Sequence, residues 1–393
     1  MTKPDTDDIF SIFHLSTGEL IDQTLVLLAQ EDSKHYKRRD YLRKGKGSSS
    51  SRSRRVTAEA RAKVARWLAD IVDYFSLQRQ TVAVAMSFVD IFLSLRDERT
   101  ASEARRSVTK FQLLSLVCLS IATKTLEVAH LDVDTLVHAS QGCYCADDIR
   151  EMEIVVLKAL QWRLCAPTSL PLAHRAIALL AKVVPRLAND GSNKHNSLTS
   201  CLVEFTRLQL ELAVTDYTSS VLRKPSTIAL ASILNSMDLL DFDNREKRAF
   251  SRAMTDMVGL DIHSIDVVKA RQELNEVFDR QSEDVMSRGA VSSSSSSSST
   301  KSCYTTSTTA STAASTTASS LASVSHYSRD SMASHHSRRS QVGVDELMQT
   351  DAAKSSRSSV NKYVRRELYQ DEVDNNEIPR ASELFQGFGR SKF

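Results

Sequence analysis

The sequence predicts an all-α protein, and three observations support that fold class. The chain has 393 residues but only 10 glycines and 6 prolines, which is about 4% where about 12% is usual. β-Sandwiches and barrels need a turn every ~8–12 residues, so this shortage disfavours them. Apolar residues recur at helical spacing, and the helical segments form two consecutive groups of similar length. We therefore expect two consecutive five-helix globules.

Composition divides the chain into four regions. Residues 1–56 are polar and strongly basic from Lys34 to Arg55, so we expect them to be disordered or partly helical. Residues 57–167 and 168–280 are rich in apolar residues and contain the two globules. Residues 281–393 are Ser/Thr-rich and have too little apolar surface to offset the entropy of ordering. We expect this last region to be a disordered tail.

The first globule begins with an amphipathic helix, whose apolar stripe runs from Val64 to Phe75. The segments Thr81–Leu95 and Phe111–Ala122 are apolar nearly all round, which is typical of helices buried by neighbours on every side. Two shorter helices follow, Leu131–Ala139 and Asp147–Leu160, the second opened by Asp147 or Asp148 as a cap or first-turn acid.

The second globule shows the same helical periodicity in five segments. Polar stretches interrupt it at residues 189–197 and 241–247. The predicted helices are Leu170–Val184, Leu198–Leu212, Thr227–Leu239, Asp243–Val258 and His263–Phe278.

Composition and spacing disfavour several classes of function. The 51 basic and 48 acidic residues give a net charge of only +3, too little over the whole chain to indicate nucleic acid as the main partner. The longest uncharged apolar run, Phe111–Thr123, is well short of the ~20 residues of a membrane span. The six cysteines include no CxxC pair, which favours a reduced intracellular protein. Neither metal-ligand spacing nor a Ser/His/Asp signature is visible, so we expect no metal, cofactor or catalytic residue.

The first globule contains a series of segments whose order and spacing are informative: Ala60–Leu68, Phe88–Ser94, Phe111–Leu114 leading to Ile121–Glu127, Met152–Leu160, and Trp162–Thr168. Over roughly residues 58–168, these segments resemble the cyclin family in both order and spacing. The second globule supports the resemblance only by its helix pattern and by residues 225–231.

The resemblance implies two cyclin boxes in a regulatory subunit that has no active site of its own. Its partner would be a cyclin-dependent serine/threonine kinase, in cell-cycle control. Such a kinase needs its αC Glu paired with its β3 Lys before phosphoryl transfer is organised. A subunit that holds αC inward therefore shifts the kinase towards its active state.

The resemblance also assigns roles to individual residues. Lys124 and Glu153 match the family's charged pair that contacts the kinase backbone. From the residues alone, Lys124 could instead complement a helix dipole, and Glu153 could lie on a solvated helix face. Arg61 and Asp90 match an internal salt bridge, which is a structural role.

A further implied site is a groove for docking kinase substrates or inhibitors that carry an Arg-x-Leu motif. Trp67 and Gln112 match groove positions, and Asp70 keeps the family's acid. However, Ala60 stands where Met is usual and Lys63 where an aliphatic residue is usual. From the residues alone, Trp67 is a core or surface-patch residue first and a functional contact second.

The basic stretch Lys37–Lys44, with Arg52, Arg54 and Arg55, is open to two interpretations: a nuclear import signal or a solvated basic linker. We expect the protein in nucleus and cytoplasm, with the nucleus favoured. Arg39-x-x-Leu42 fits a short degradation motif, but the overlapping Tyr41-Leu42-Arg43 resembles the helical lead-in to a cyclin box, which we prefer.

Two other functions stay open at this point. One is a cyclin-fold transcription-associated protein that contacts DNA and polymerase, which should carry a basic face on the boxes. The other is a helical adaptor that does not activate a kinase. Because the basic cluster lies outside the boxes, we expect no direct nucleic-acid binding and no membrane partner.

Overall fold

The structure, a computed structural model, describes residues 11–43, 56–96, 98–188 and 197–292, with side chains up to residue 280. All regular secondary structure in these ranges is helical, so the all-α prediction is confirmed. The predictions for the Ser/Thr-rich tail beyond residue 292 and for the basic cluster at Arg52–Arg55 lie outside the described residues. Residues 281–292, expected to begin the disordered tail, instead continue the last helix. The helices are α1 Thr17–Asp32, α2 Ala58–Tyr74, α3 Gln80–Ser94, α4 Arg99–Arg106, α5 Val108–Leu126, α6 Val133–Ala139, α7 Ala146–Ala159, α8 Ser169–Val183, α9 Pro185–Ala188, α10 Leu198–Thr215, a π-helix Thr218–Leu222, α11 Pro225–Leu239, α12 Asn244–Val258 and α13 Ile265–Ser292.

The first globule packs around α5. This helix contacts α2, α3, α4 and α7 and buries almost every residue from Phe111 to Thr123, as its all-round apolar character predicts. The shorter α7 opens with an acid at its N-terminus: the Asp148 carboxylate accepts the Cys145 backbone N–H at 2.9 Å. Asp147 instead pairs with Arg150 on the helix surface.

The short helix α4 was not predicted from the sequence. It buries only Ala101 and Ala104, so it has no apolar stripe that a periodicity search could detect. Its Arg105 donates to the Leu93 and Leu95 carbonyls at 2.5 and 3.0 Å. The helix therefore satisfies carbonyl groups that the end of α3 leaves without helical partners.

The second globule packs around α8, which contacts α10, α11 and α12. Helix α1 also packs on α8 and places Leu20 in this second core, although it precedes the first globule in the chain. Its first turn is held by a capping box between Ser16 and Glu19. No helix among the described residues is long and apolar enough to cross a membrane.

The two globules meet where α10 packs against α2 and α3. The 33–43 segment, which links α1 to the first globule, also runs along this junction. Its residues 34–43 form turns, bends and irregular backbone, so the preferred helical lead-in at Tyr41-Leu42-Arg43 is wrong. Hydrogen bonds to side chains of the two globules replace helical ones there, since Arg39 N donates to Ser94 Oγ at 2.9 Å and Leu42 N to the Tyr217 hydroxyl at 3.2 Å.

Candidate functional site

Lys124 and Glu153 lie together on an outer face of the first globule. Lys124 is in the last turn of α5 and Glu153 is in the middle of α7, two helices that pack against each other. The Lys124 Nζ atom is 2.5 Å from Glu153 Oε1, and the two side chains are 40% and 18% exposed. The pair is therefore formed across two helices and accessible to a partner.

Large apolar side chains are exposed at chain positions close to this pair. Leu126 and Val128 follow Lys124 at the end of α5, Ile154 follows Glu153, and Trp162 lies just beyond α7. Trp162 is 68% exposed and has a φ of +58°, which is unusual for a bulky residue. Exposed apolar groups beside charged ones are typical of a protein-binding surface.

Glu127, the last residue of the segment Ile121–Glu127, has a structural role. Its Oε1 accepts a hydrogen bond from the Gln78 backbone N–H at 2.9 Å and another from the Thr81 hydroxyl. The carboxylate therefore ties the end of α5 to the start of α3. These bonds occupy Glu127 within the fold, whereas the side chains of Lys124 and Glu153 bond, among the described residues, only to each other.

Arg61 and Asp90 form a bidentate salt bridge inside the protein. Arg61 Nε and Nη2 donate to the two Asp90 oxygens at 3.0 and 2.7 Å, and the side chains are 0% and 1% exposed. Burial, the largest single influence, lowers the pKa of Arg61, but the charges of Asp90 and Tyr41 and the hydrogen bonds with them together raise it above the ordinary value. The Arg61 guanidinium is thus charged within the core.

This salt bridge belongs to a larger polar network at the junction of the globules. Arg61 Nη1 donates to the Val214 carbonyl of α10 at 2.7 Å, and the Tyr41 hydroxyl donates to Asp90 at 2.8 Å. Burial, followed by the Asp90 charge, raises the pKa of Tyr41 well above its ordinary value. One buried ion pair therefore joins the first globule, the second globule and the 33–43 segment.

Arg38 makes the second polar connection at this junction. Its guanidinium donates to the Ser220 carbonyl at 2.5 Å, to Ser87 Oγ at 3.1 Å and to the Pro167 carbonyl at 3.3 Å. The π-helix presents Ser220 to it, and irregular helices of this kind occur often at functional positions. Sequence reasoning missed this role, because one arginine within a basic run carries no signal that it turns inward.

The proposed docking residues are largely withdrawn from solvent. Trp67 is fully buried, and its indole N–H has no hydrogen-bond partner in the part of the chain that the structure describes. Gln112 is buried beneath Tyr144, whose hydroxyl is 3.2 Å from Gln112 Oε1. Burial, and then the nearby Asp73, raise the pKa of Asp70. A peptide could reach Trp67 only after rearrangement, and docking at this groove stays a prediction.

Among the described residues, no group of three or more His, Cys, Asp or Glu could hold a metal ion.

The buried His174 is the clearest isolated titratable group. Its Nε2 has no hydrogen-bond partner, and burial, aided by Arg175 and Arg207, lowers its pKa to about 4. The side chain is neutral in the folded protein near pH 7 and has the character of a core residue.

The fold and the surface pair define a helical protein of two packed globules that presents a charged pair between two helices. Residues 24–165 match the family model "Cyclin, N-terminal domain". This match and the similar curated proteins confirm the resemblance to the cyclin family seen in the sequence.

Similar curated proteins include both A-type and B-type cyclins, so the matches do not single out a subtype. Cyclin-B2-2 of Arabidopsis thaliana is 30% identical over 178 residues, which are 45% of this chain and 36% of that protein. Putative cyclin-A3-1 of the same plant is 29% identical over 178 residues, 45% and 44% of the two chains. G2/mitotic-specific cyclin-B of Arbacia punctulata is 27% identical over 186 residues, 47% and 39% of the two chains.

The chain spans less than half the length of each of these relatives. Among solved structures, a viral cyclin from herpesvirus saimiri is similar with a TM-score of 0.44 and 17% identity, covering 57% of this chain and 87% of that one.

Proposed function

We propose that this chain is a regulatory subunit that binds and activates a cyclin-dependent serine/threonine kinase in cell-cycle control. The observation that supports it best is the accessible Lys124–Glu153 pair between α5 and α7, at the positions that the family uses to contact a kinase. In this proposal the ATP, the Mg²⁺ and the catalytic groups belong to the kinase, and this chain supplies a rigid helical surface.

The two side chains have complementary capacities for this task. Lys124 can donate hydrogen bonds and Glu153 can accept them, so together they can satisfy exposed backbone groups at a helix end of the partner. Charge-assisted hydrogen bonds of this type are worth about 1.5–3 kcal/mol each. Exposed ion pairs are typically worth about 0–1 kcal/mol, so opening the Lys124–Glu153 pair on binding costs little by comparison.

The flanking apolar side chains would supply the rest of the surface. Leu126 is two residues after Lys124 and Ile154 directly follows Glu153, and both side chains are exposed. Burying such side chains against a partner is favourable, and the charged pair would fix the orientation of the partner helix. Because this chain would bind the αC helix of the kinase only in its inward position, it would shift the kinase towards its active state.

The test is to co-purify the full chain with candidate kinases and to measure the phosphorylation rate of a peptide substrate. We expect the wild-type chain to bind a kinase and to raise its rate, and the Lys124→Ala/Glu153→Ala variant to bind at least tenfold more weakly. The matched control is Arg99→Ala/Glu103→Ala, which removes another exposed ion pair of the same globule and should leave binding unchanged.

The outcomes separate the alternatives. A kinase that is bound without any increase in rate would contradict activation and favour a helical adaptor. Undiminished binding by the Lys124→Ala/Glu153→Ala variant would contradict the site. Binding to a DNA duplex that weakens steeply with salt, with no kinase bound, would favour the transcription-associated class.

A further inference from the structure

The 33–43 segment is fixed in place beside the residues that follow α7. The Tyr36 side chain lies beside the Cys165 backbone and packs against the first core. Two residues later, Arg38 donates to the Pro167 carbonyl at 3.3 Å. The segment therefore runs alongside residues 163–167, and its buried contacts hold it there.

The segment exposes four cations, Lys34, Lys37, Arg39 and Arg43, and Arg163 is exposed beyond α7. Lys34 and Lys37 are the two nearest in the chain to Tyr36, and with Arg163 they form one group. We call them the basic face. None of the three forms an ion pair with another described residue, although ion pairs are frequent on the rest of the described surface. The acid of the same segment, Asp40, is occupied by the Tyr217 hydroxyl and the Arg43 backbone N–H.

The local electrostatics agree with this placement. Partial burial, together with the Arg163 and Lys34 charges, lowers the pKa of His35, so both cations act on the same spot. Like charges that are held together without counter-ions create a positive potential, which attracts anionic partners and raises association rates.

Arg163 of the basic face is close in the chain to the surface proposed to bind the kinase. Glu153 and Arg163 are on the same stretch of chain, and the end of α7 at Ala159 is about 9 Å from Glu153 at 1.5 Å per helical residue. The exposed Trp162 lies between them in the chain. A partner that contacts Glu153 and Trp162 is therefore one residue of the chain away from Arg163.

We propose that Lys34, Lys37 and Arg163 bind an acidic segment of the kinase subunit and accelerate its association. This inference rests on the proposed function, because it places the acidic segment on the same partner. Aspartate, glutamate or phosphorylated side chains of a protein segment supply the complementary charge. Exposed charges at the rim of an interface change chiefly the association rate and its salt dependence.

The test measures association of the full chain with an immobilised kinase that the wild-type chain activates. The variant is Lys34→Glu/Lys37→Glu/Arg163→Glu. The control, Arg245→Glu/Arg248→Glu/Lys269→Glu, makes the same change in net charge with three exposed cations of the second globule. Rates are compared at about 0.01 M and about 1 M salt, where the screening length falls from about 30 Å to about 3 Å.

We expect the basic-face variant to associate at least tenfold more slowly than wild type at low salt, and less than about threefold more slowly at high salt. The control should stay within about threefold at both. Thermal unfolding of both variants should match wild type, because the substituted side chains are exposed. The kinase is also treated with a phosphatase before the measurement. If this treatment slows the association of the wild-type chain, the acidic groups are phosphates; if the rate is unchanged, they are carboxylates, and either result supports the proposal.

Several results would overturn this proposal. The basic-face variant could associate as fast as wild type, or the control could slow equally, which would reduce the effect to net charge. A DNA duplex could bind the wild-type chain through the same three residues, which would assign the face to nucleic acid. A failure of the wild-type chain to bind any kinase would overturn the proposed function as well, whereas loss of binding on Lys124→Ala/Glu153→Ala with an unchanged basic-face variant would overturn the basic face alone.

Discussion

Two ion pairs of the first globule join residues that are 29 positions apart in the chain, yet their surroundings differ completely. Arg61–Asp90 joins α2 to α3 and is buried, whereas Lys124–Glu153 joins α5 to α7 and is accessible. The buried pair has further hydrogen bonds to Tyr41 and to the Val214 carbonyl, so its charges are used within the molecule. The surface pair keeps hydrogen-bonding capacity that a partner can use.

The comparison shows how the same chemistry acquires different roles. In the core, removing one charge strands the other in a medium that solvates it poorly, so the pair governs stability. At the surface, water compensates for a missing partner, and the pair contributes little to stability. The buried pair thus belongs to the architecture and the surface pair is free to serve binding.

The largest expected effect comes from breaking the buried pair. Asp90→Ala leaves the Arg61 guanidinium without its counter-ion, and we expect the free energy of unfolding to fall by about 3–5 kcal/mol. Denaturant unfolding measures this change. The paired replacement Arg61→Met/Asp90→Leu removes both charges and should recover part of the loss. A loss below about 1 kcal/mol for Asp90→Ala would contradict the structural role.

The buried His174 of the second globule tests what burial does without a counter-ion. Its folded pKa of about 4 lies below the ordinary 6.5, so the unfolded chain binds the proton more readily. Stability is therefore fully present above about pH 6.5 and is lost as the pH falls towards 4, by at most about 1.4 kcal/mol per pH unit. Urea unfolding across this window measures the slope.

The variant His174→Phe should reduce that slope, because the protonatable group is gone. The control is His263→Gln, which replaces an exposed histidine of the same globule and should leave the wild-type slope unchanged. If His174→Phe showed the wild-type slope, another group would be responsible for the pH dependence.

The junction between the globules should be weakened by Arg38→Met. This change keeps an unbranched apolar stem but leaves the Ser220 and Pro167 carbonyls without their donor, at an expected cost of about 1–3 kcal/mol. Lys37→Met, which changes the exposed neighbour, is the matched control and should have no effect. Equal unfolding midpoints for the two variants would mean that Arg38 does not hold the junction.

The smallest expected effect on stability is that of the surface pair. Lys124→Ala/Glu153→Ala should change the free energy of unfolding by less than about 1 kcal/mol, while it weakens kinase binding in the proposed function. Calorimetric unfolding of the free chain measures the first quantity. A loss comparable to that of Asp90→Ala would erase the distinction between the two pairs.

Helix positions were accessible from the sequence where burial imposes a pattern. The all-round apolar α5 and the striped α2 were predicted because a buried face repeats at the helical period. Helix α4 was not, since two alanines cover its whole contact with the core. The irregular 33–43 segment was predicted to be helical at Tyr41-Leu42-Arg43, because motif similarity there says nothing about the side-chain and junction contacts that replace helical bonds.

The candidate site also has features that the sequence predicts and features that only the structure shows. Lys124 and Glu153 were found through their motifs, and the structure brings their charged atoms together. The apolar stripe that includes Trp67 already favoured a core position for it, and it is fully buried. The sequence could not reveal that Tyr144 covers Gln112, because this depends on how the loop between α6 and α7 folds back onto α5, which no local pattern encodes.

The sequence by itself determined the helical class, the two apolar globules and the positions of the paired charges, because periodicity and residue type are local properties. Only the tertiary structure decided which charges are buried and which stay accessible. Arg38 turns inward between two exposed cations, and α1 packs on the second globule rather than on the first. Burial depends on which surfaces the packed helices cover, and that is set by contacts between residues far apart in the chain.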